Sequence, residues 1–204
     1  MRLKLTAKMS RREGQALSES ASHARVLARR PFPPGVHGPS NGYGRQTDYG
    51  KQLREKQKAK RLYGLAERQF RNLFEEATKK KGNTEVTLIQ YLEQRLDNVV
   101  FRAGFAKTRA QARQAVSHAH FEVNGRKVNI PSFRVKPGDM ITLRTSKQAK
   151  GLWKGIEEVL AKKEAPSWIA LQKNELSAKI TSVPTGAELQ QPFDPKLIIE
   201  FYSR

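Results

Sequence analysis

The stretch RLDNVVFRAGFAKTRAQARQAVSHAHFEVNGRKVN, running from Arg95 to Asn129, decides how the rest of the chain is read. Leu88, Leu92, Leu96, Val99 and Val100 recur at helical spacing across its start, and Gly104 supplies a residue that leaves a helix through positive φ. The spacing predicts one amphipathic helix ending near Ala103. Thr108, with Gln111 three residues on, fits a capping box, in which hydroxyl and amide satisfy orphan backbone N–H groups, so a second helix is predicted from Arg109. Its apolar stripe is Ala112, Ala115, Val116 and Ala119. Arg109, Arg113, Ser117 and His120 form another stripe, offset by roughly a quarter-turn at about 100° per residue. The small stripe is expected to pack and the cationic one to stay free. Phe121-Glu122-Val123 and Arg126-Lys127-Val128 then flank Asn124-Gly125, whose residue types tolerate the positive φ of a type I′ turn. This is a hairpin with a basic outgoing strand.

Downstream, Phe133 and Val135 lead to the turn pair Pro137-Gly138, and Met140 to Leu143 reads as a strand with Ile141 and Leu143 on one side. Leu152, Trp153, Ile156, Val159 and Leu160 predict a further helix, broken by Pro166 before the β-like Trp168 to Leu171. Near the end, Leu197-Ile198-Ile199 fits a strand, yet Asp194 as N-cap with Pro195 at the first helical position favours a short helix. Upstream, Thr47 or Asp48 caps a helix to about Leu62 in which Lys51, Arg54, Lys58 and Arg61 recur on one face. Gly64 separates it from a second helix with Ala66, Phe70, Leu73, Phe74 and Ala77 at core spacing. The expected class is α+β. From Met1 to about Gly44 the chain is rich in Arg, Ser, Pro and Gly, and its composition predicts no regular structure until a partner orders it.

The chain has 204 residues, with 39 Lys and Arg against 19 Asp and Glu, a formal net charge of +20. Such an excess implies a polyanionic partner, and it outweighs the blander reading of each basic helix face as merely solvated. Phe32, His37 and Tyr43 among Arg25, Arg29, Arg30 and Arg45 offer stacking faces beside phosphate-binding cations. There is no cysteine, which removes thiolate chemistry and cysteine zinc sites, and no apolar run approaches the roughly eighteen residues of a membrane span. His118 and His120 lack a paired ligand pattern, so no metal is expected. PPGVHG and NGYG lack a phosphate-loop Lys-Ser/Thr arrangement. Glu93 and Asp97, four apart on one predicted helix, are read as exposed structural charge, with Arg95 neutralising Asp97.

From Arg95 the run RLDNVVFRAGFAKTRAQARQAVSHAHFEVNGRKVNIPSFRVKPGDMI resembles the RNA-binding domain of the family of the fourth small-subunit ribosomal protein. YGKQLREKQKAKRLYGLAERQFRNLFEEATKKKGN and FDPKLIIEFYSR carry signatures of the same family, so the resemblance covers the chain from about Arg11. Related modules occur in pseudouridine synthases, tyrosyl-tRNA synthetases and small stress-response RNA binders, and it is the flanking helices that narrow the match. The resemblance implies an extended basic arm over 1–44 and a helical domain over 45–90 completed by about 190–204. An RNA-binding α+β domain over 91–189 would lie between those two pieces. Many members carry a cysteine cluster binding a metal in the arm; those cysteines are absent here, so no metal or other cofactor is carried over.

It also implies a non-enzymatic, structural component of the small ribosomal subunit in the cytoplasm or an organelle. Such a component binds small-subunit ribosomal RNA directly, nucleates assembly of its five-prime domain and meets the fifth small-subunit ribosomal protein. It contributes to the messenger RNA entrance path and to decoding accuracy. Expected RNA contacts are Lys51, Arg54, Lys58 and Arg61 on one helix and Arg68 and Arg71 on the next. Lys107, Arg109, Arg113 and His120 follow around the second central helix, then Asn124, Arg126, Lys127 and Arg134 on and after the hairpin. By resemblance Arg45 matches an arginine lining the messenger entrance. Because Pro39, Ser40 and Gln46 add no charge, Arg45→Ala is expected to affect translation of structured messages only modestly, with assembly intact. The competing reading is an RNA-modifying enzyme, with Asp97 doing chemistry, or a stress-response RNA binder using the same module.

Overall fold

A computed structural model describes residues 5–39, 47–149, 151–161, 163–172 and 175–203. In chain order it contains α1 (Ala7–Glu13), α2 (Ala21–Arg29), α3 (Asp48–Leu62), α4 (Glu67–Lys79), α5 (Thr84–Glu93), α6 (Leu96–Arg102) and α7 (Arg109–Ser117). Strands β1 (Phe121–Val123), β2 (Arg126–Val128) and β3 (Met140–Leu143) follow, then α8 (Thr145–Gln148), a 3-10 turn at Gly151–Trp153, α9 (Ile156–Ala161), β4 (Ile169–Gln172) and β5 (Ser177–Ile180). A second 3-10 turn, Gly186–Leu189, precedes α10 (Pro195–Tyr202). The fold is α+β and divides into two compact units, Met1–Ile89 with Gln190–Arg204, and Gln90–Leu189.

In the first unit, α3 begins as its sequence predicts, with the Thr47 hydroxyl accepting from Gly50 N at 3.2 Å. Of the predicted core positions, Phe70, Leu73, Phe74 and Ala77 are buried on α4, whereas Ala66 is exposed as its N-cap residue. The ambiguity at 197–199 resolves as helix, because Asp194 accepts from Lys196 N at 2.9 Å with Pro195 at the first helical position. That helix closes the unit with aromatic rings. Tyr202 stacks on Phe74 at 4.7 Å between centroids, Tyr49 lies 5.7 Å from Phe201, and Lys56 Nζ sits 4.2 Å over the Phe201 ring. The Glu67 carboxylate joins three elements, accepting from Lys56 and Lys60 at 2.7 Å each and from the Tyr202 hydroxyl at 3.0 Å.

The expectation that residues 1–44 hold no regular structure is corrected by α1 and α2. Composition hides the cause, a small polar core closed by side chains far apart in sequence. Ser10 Oγ lies 2.8 Å from His23 Nδ1 and accepts from Leu17 N at 3.3 Å, and all three residues are buried. Arg11 Nε donates to the carbonyls of Arg30 and Phe32 at 3.1 Å each, tying the following loop to α1. Glu13 is buried and accepts from Arg54 and Arg61 of α3. Burial pushes its carboxyl above the usual range against the pull of those two guanidinium groups.

The second unit packs α6 and α7 on an antiparallel sheet of strand order β2-β1-β3-β5-β4. Asn124 and Gly125 both take positive φ, 51° and 73°, and close the predicted hairpin in the register Phe121↔Val128. The core gathers Val99, Val100, Ala112, Val116, Phe121, Ile141 and Leu143 with both tryptophans, the Phe105 and Phe121 rings meeting edge-on at 5.5 Å. Two expectations are corrected. The single helix ending near Ala103 is two, broken at Gln94-Arg95, because Gln94 O accepts from Val135 N at 3.0 Å and Leu96 N donates to Phe133 O at 2.8 Å. Strand-like pairing between Arg95 and Arg134 displaces the helical hydrogen bonds there. The helix predicted around Trp153 is a 3-10 turn and then α9, separated by Gly155 at φ 71°. Gly104, at φ 92°, ends α6 as its sequence position predicts.

Burial alone would raise the Glu67 carboxyl, but the hydrogen bonds from Lys56 and Lys60 outweigh it and hold the value at about 2 against an ordinary 4.5. A group depressed in the folded state contributes stability that is present at neutral pH and is lost as pH falls through its folded value. Glu67→Gln should therefore lower the thermal midpoint at neutral pH. The gap between variant and parent, followed by circular dichroism, should narrow as pH drops from about 4.5 towards 2. A gap that stays constant with pH would refute this account.

Candidate nucleic-acid interface

Two buried carboxylates of the second unit gather arginines of the central stretch, Arg113 among the expected contacts and Arg95 and Arg102 beside it. Glu93, at 1% exposure, receives Arg102 Nε and Nη2 at 2.9 Å each and Asn98 Nδ2 at 2.8 Å. Asp97, at 5%, receives Arg95 Nε and Nη2 at 3.1 and 2.9 Å, with Arg113 Nη1 at 3.6 Å from the same carboxylate. Both acids were expected to be exposed structural charge. They are instead enclosed, and the local neutralisation of Asp97 by Arg95 is observed. A bidentate fork fixes both position and plane of a guanidinium, which a single contact does not.

Asn98 passes this order to α7, its side-chain oxygen accepting from Arg109 Nε at 3.0 Å while its amide holds Glu93. Arg109 lies 4.5 Å over the Phe101 ring, and Arg134 lies 3.7 Å over Tyr91. The stripe of Arg109 and Arg113 was expected to stay free. It is half-buried and pre-set, because the start of α7 packs beside the polar end of α6. Thr108 caps α7 by accepting from Gln111 N at 3.2 Å, but the reciprocal bond is displaced by one residue, with Gln111 Oε1 accepting from Lys107 N.

His120 requires a second correction. Ala119 takes φ 53°, which turns His120 inward to 5% exposure, where its Nδ1 accepts from Trp153 Nε1 at 2.7 Å. It is buried in the second unit, against its expected place on an RNA-facing stripe. Asn124 is exposed, but its side chain spans a turn, donating to Asp139 Oδ1 and accepting from Met140 N. Lys107, Arg126 and Lys127 are exposed, and Arg134 is half-buried.

On the first unit, Lys51, Arg68 and Arg71 are exposed, Arg71 pairing with Glu75 one turn on. Arg54 and Arg61 turn towards Glu13, so the basic face of α3 is partly covered by α1. Lys58 pairs with Glu55. Arg45 lies outside the described residues, as does Tyr43. Among the described residues no group of three or more His, Asp or Glu is placed to hold a metal ion. No helix among them is long and apolar enough to cross a membrane.

Sequence reasoning found the cations but missed what holds them, namely Asn98, Tyr91 and Phe101. An aromatic one helical turn or more from an arginine at a helix end is a weak signal that was present in the sequence. Two outcomes test this arrangement. Asp97→Ala leaves the Arg95 guanidinium buried without its counter-charge and should destabilise the fold by about 3–5 kcal/mol, read by denaturant unfolding. The double variant Arg109→Ala, Arg113→Ala should stay folded, and its log K against log salt slope for RNA should flatten by roughly 0.7–0.9 per lost phosphate contact. An unchanged slope would remove both arginines from the interface.

Comparison with known proteins places this geometry. The family described as ribosomal protein S4/S9 N-terminal domain matches residues 4–93, and the S4 domain matches residues 94–141. The chain is 48% identical over 199 residues to the small ribosomal subunit protein uS4 of Roseiflexus castenholzii, covering 97% of this chain and 96% of that protein. Identity and coverage are the same for uS4 of Chloroflexus aurantiacus. For uS4 of a Thermoanaerobacter species the identity is 47% over 203 residues, covering 98% and 97% of the two chains. With both domain families in order along one chain and near-complete alignment, the chain belongs to the uS4 family of small ribosomal subunit proteins.

Proposed function

We propose that this protein is a structural component of the small ribosomal subunit that binds small-subunit ribosomal RNA directly, without catalysing a reaction. The observation that carries the reading is the set of guanidinium groups at Arg102, Arg109 and Arg113, oriented by Glu93, Asn98 and Asp97 before any RNA arrives. A charge that is already oriented loses little side-chain entropy on binding, so more of the gain from counterion release appears as affinity. The exposed Lys107, Arg126 and Lys127 extend the cationic surface of the same unit. Residues 91–189 are thus assigned as the RNA-binding domain, with 45–90 and about 190–204 as a helical domain.

The finer reading follows the family. The protein nucleates assembly of the five-prime domain, contributes to the messenger entrance path and decoding accuracy, and meets the fifth small-subunit protein, in the cytoplasm. The RNA-modifying alternative has less support at Asp97. Asp97 is 5% exposed, and Arg95 occupies both of its oxygens. That enclosure supports a role for Asp97 as a holder of cations.

The experiment is hydroxyl-radical footprinting and filter binding of the full chain on small-subunit ribosomal RNA, with transfer RNA as competitor. Tight binding to the ribosomal RNA, a discrete protected region and displacement only by excess transfer RNA are expected. Equal affinity for both RNAs, with no discrete protection, would overturn the proposal.

A further inference from the structure

The first unit contains a pocket of about 410 Å³ lined by α1, the loop after α2, α3 and α10. Sites for small organic ligands run from roughly 300 to 1,000 Å³, so its size suits a nucleotide better than a bare oxyanion. Its walls differ in chemistry. Arg12 of α1 with Lys51, Arg54 and Lys58 of α3 supply cations to the lining, and Pro31, Pro33 and Leu197 supply apolar surface. Successive turns of α3 space the three cations along one face, as a phosphate-bearing strand requires.

The contacts that hold α1, α3 and the loop together also shape the pocket. Arg11 fastens the proline-bearing loop through three carbonyls, those of Arg30 and Phe32 at 3.1 Å and that of Pro33 at 3.3 Å, and lies 4.9 Å over the Phe32 ring. Glu13, a buried lining residue, accepts from Arg54 at 3.3 Å and so fixes that guanidinium at the wall. Five lining residues are cationic against two anionic, Glu13 and Glu55, an excess of three. The pairing of Lys51 with Asp48 is exposed on both sides, and such pairs contribute little, so a phosphate displaces Asp48 readily. An ion-pair network alone accounts for the charges but leaves the concave apolar side unexplained.

We propose that this pocket takes one unstacked nucleotide of RNA, its phosphate among Lys51, Arg54 and Lys58 and its base against Pro31, Pro33 and Leu197. This deepens the reading of the chain as a ribosomal-RNA-binding protein and rests on it. Unpaired bases splayed from loops and junctions are what proteins read in RNA, and a cationic groove beside a flat apolar surface is the common means.

The test uses the full chain bound to small-subunit ribosomal RNA, irradiated with ultraviolet light and mapped by mass spectrometry. A nucleotide adduct localised to Pro31–Pro33 or to Leu197 is expected. In parallel, the double variant Arg12→Ala, Lys51→Ala, both residues being exposed, should keep its helical circular dichroism. Its log K against log salt slope should flatten by roughly 0.7, the value for one phosphate contact to a single strand. Methyl resonances of Leu197 should shift with a mononucleotide and stay in place with inorganic phosphate alone. Equal shifts with inorganic phosphate and no adduct would make the pocket a simple anion site and overturn the proposal. Tight ribosomal RNA binding with an unchanged slope and no adduct would overturn it while leaving the function intact. Failure of the parent chain to bind ribosomal RNA would remove both.

Discussion

Two carboxylates, Glu93 and Asp97, sit almost entirely out of water inside a strongly cationic protein, and the second unit is organised by what they demand. Removing a carboxylate from water costs several kcal/mol unless partners replace its hydration shell. Here the replacement is Arg102 and Asn98 on one acid and Arg95 and Arg113 on the other. The requirement is mutual. The guanidinium groups repel one another, and the buried acids hold them within one small region without collapse into solvent. The arginine cluster and the polar end of α6 are therefore one structure, with Arg95 and Arg102 as the bidentate partners of the two acids.

The first unit applies the same logic with different residues. Glu67 gathers Lys56, Lys60 and Tyr202, and Glu13 gathers Arg54 and Arg61. Tyr202 is held protonated by burial and by the neighbouring Glu67 charge, which keeps its hydroxyl a donor. With no cysteine in the chain, hydrogen bonds through Ser10, His23 and Arg11 hold α1, α2 and the loop after them together. Acids are fewer than cations in this chain, and the exposed Glu67 and the buried Glu13 each gather two cations.

Local chemistry was legible in the sequence. The hairpin was read correctly because Asn124-Gly125 leaves the backbone few alternatives, and α10 because Asp194-Pro195 is a helix start with a mechanism. What was missed depends on residues distant along the chain. Nothing near Gln94 announces that residues 133–135 will pair there and break a helix whose apolar spacing continues unbroken. Strand β5 was not read, since Ser177-Ala178-Lys179-Ile180 is short and becomes a strand by pairing with both β3 and β4. His120 was misplaced because one residue of positive φ, Ala119, rotates the chain at the end of α7. In the candidate interface the cations were visible as charges, but the orientation of Arg109 comes from Asn98, eleven residues earlier.

The packing of α10 on α3 has a consequence for how the molecule is made. Gln52 donates to Glu200 across 148 residues of sequence, and Tyr202 completes the aromatic contacts of α4. During synthesis the entire second unit emerges before that helix does. The second unit, contiguous in sequence, has its full set of partners early and can fold as a domain while the chain is still growing. The first unit waits, its α3 and α4 exposing Ala59, Phe70 and Phe74 until the closing segment arrives. Strongly basic helices with an unfilled apolar seam are a hazard in a cell full of polyanions, and the interval between the two folding events is when this protein is most in need of protection.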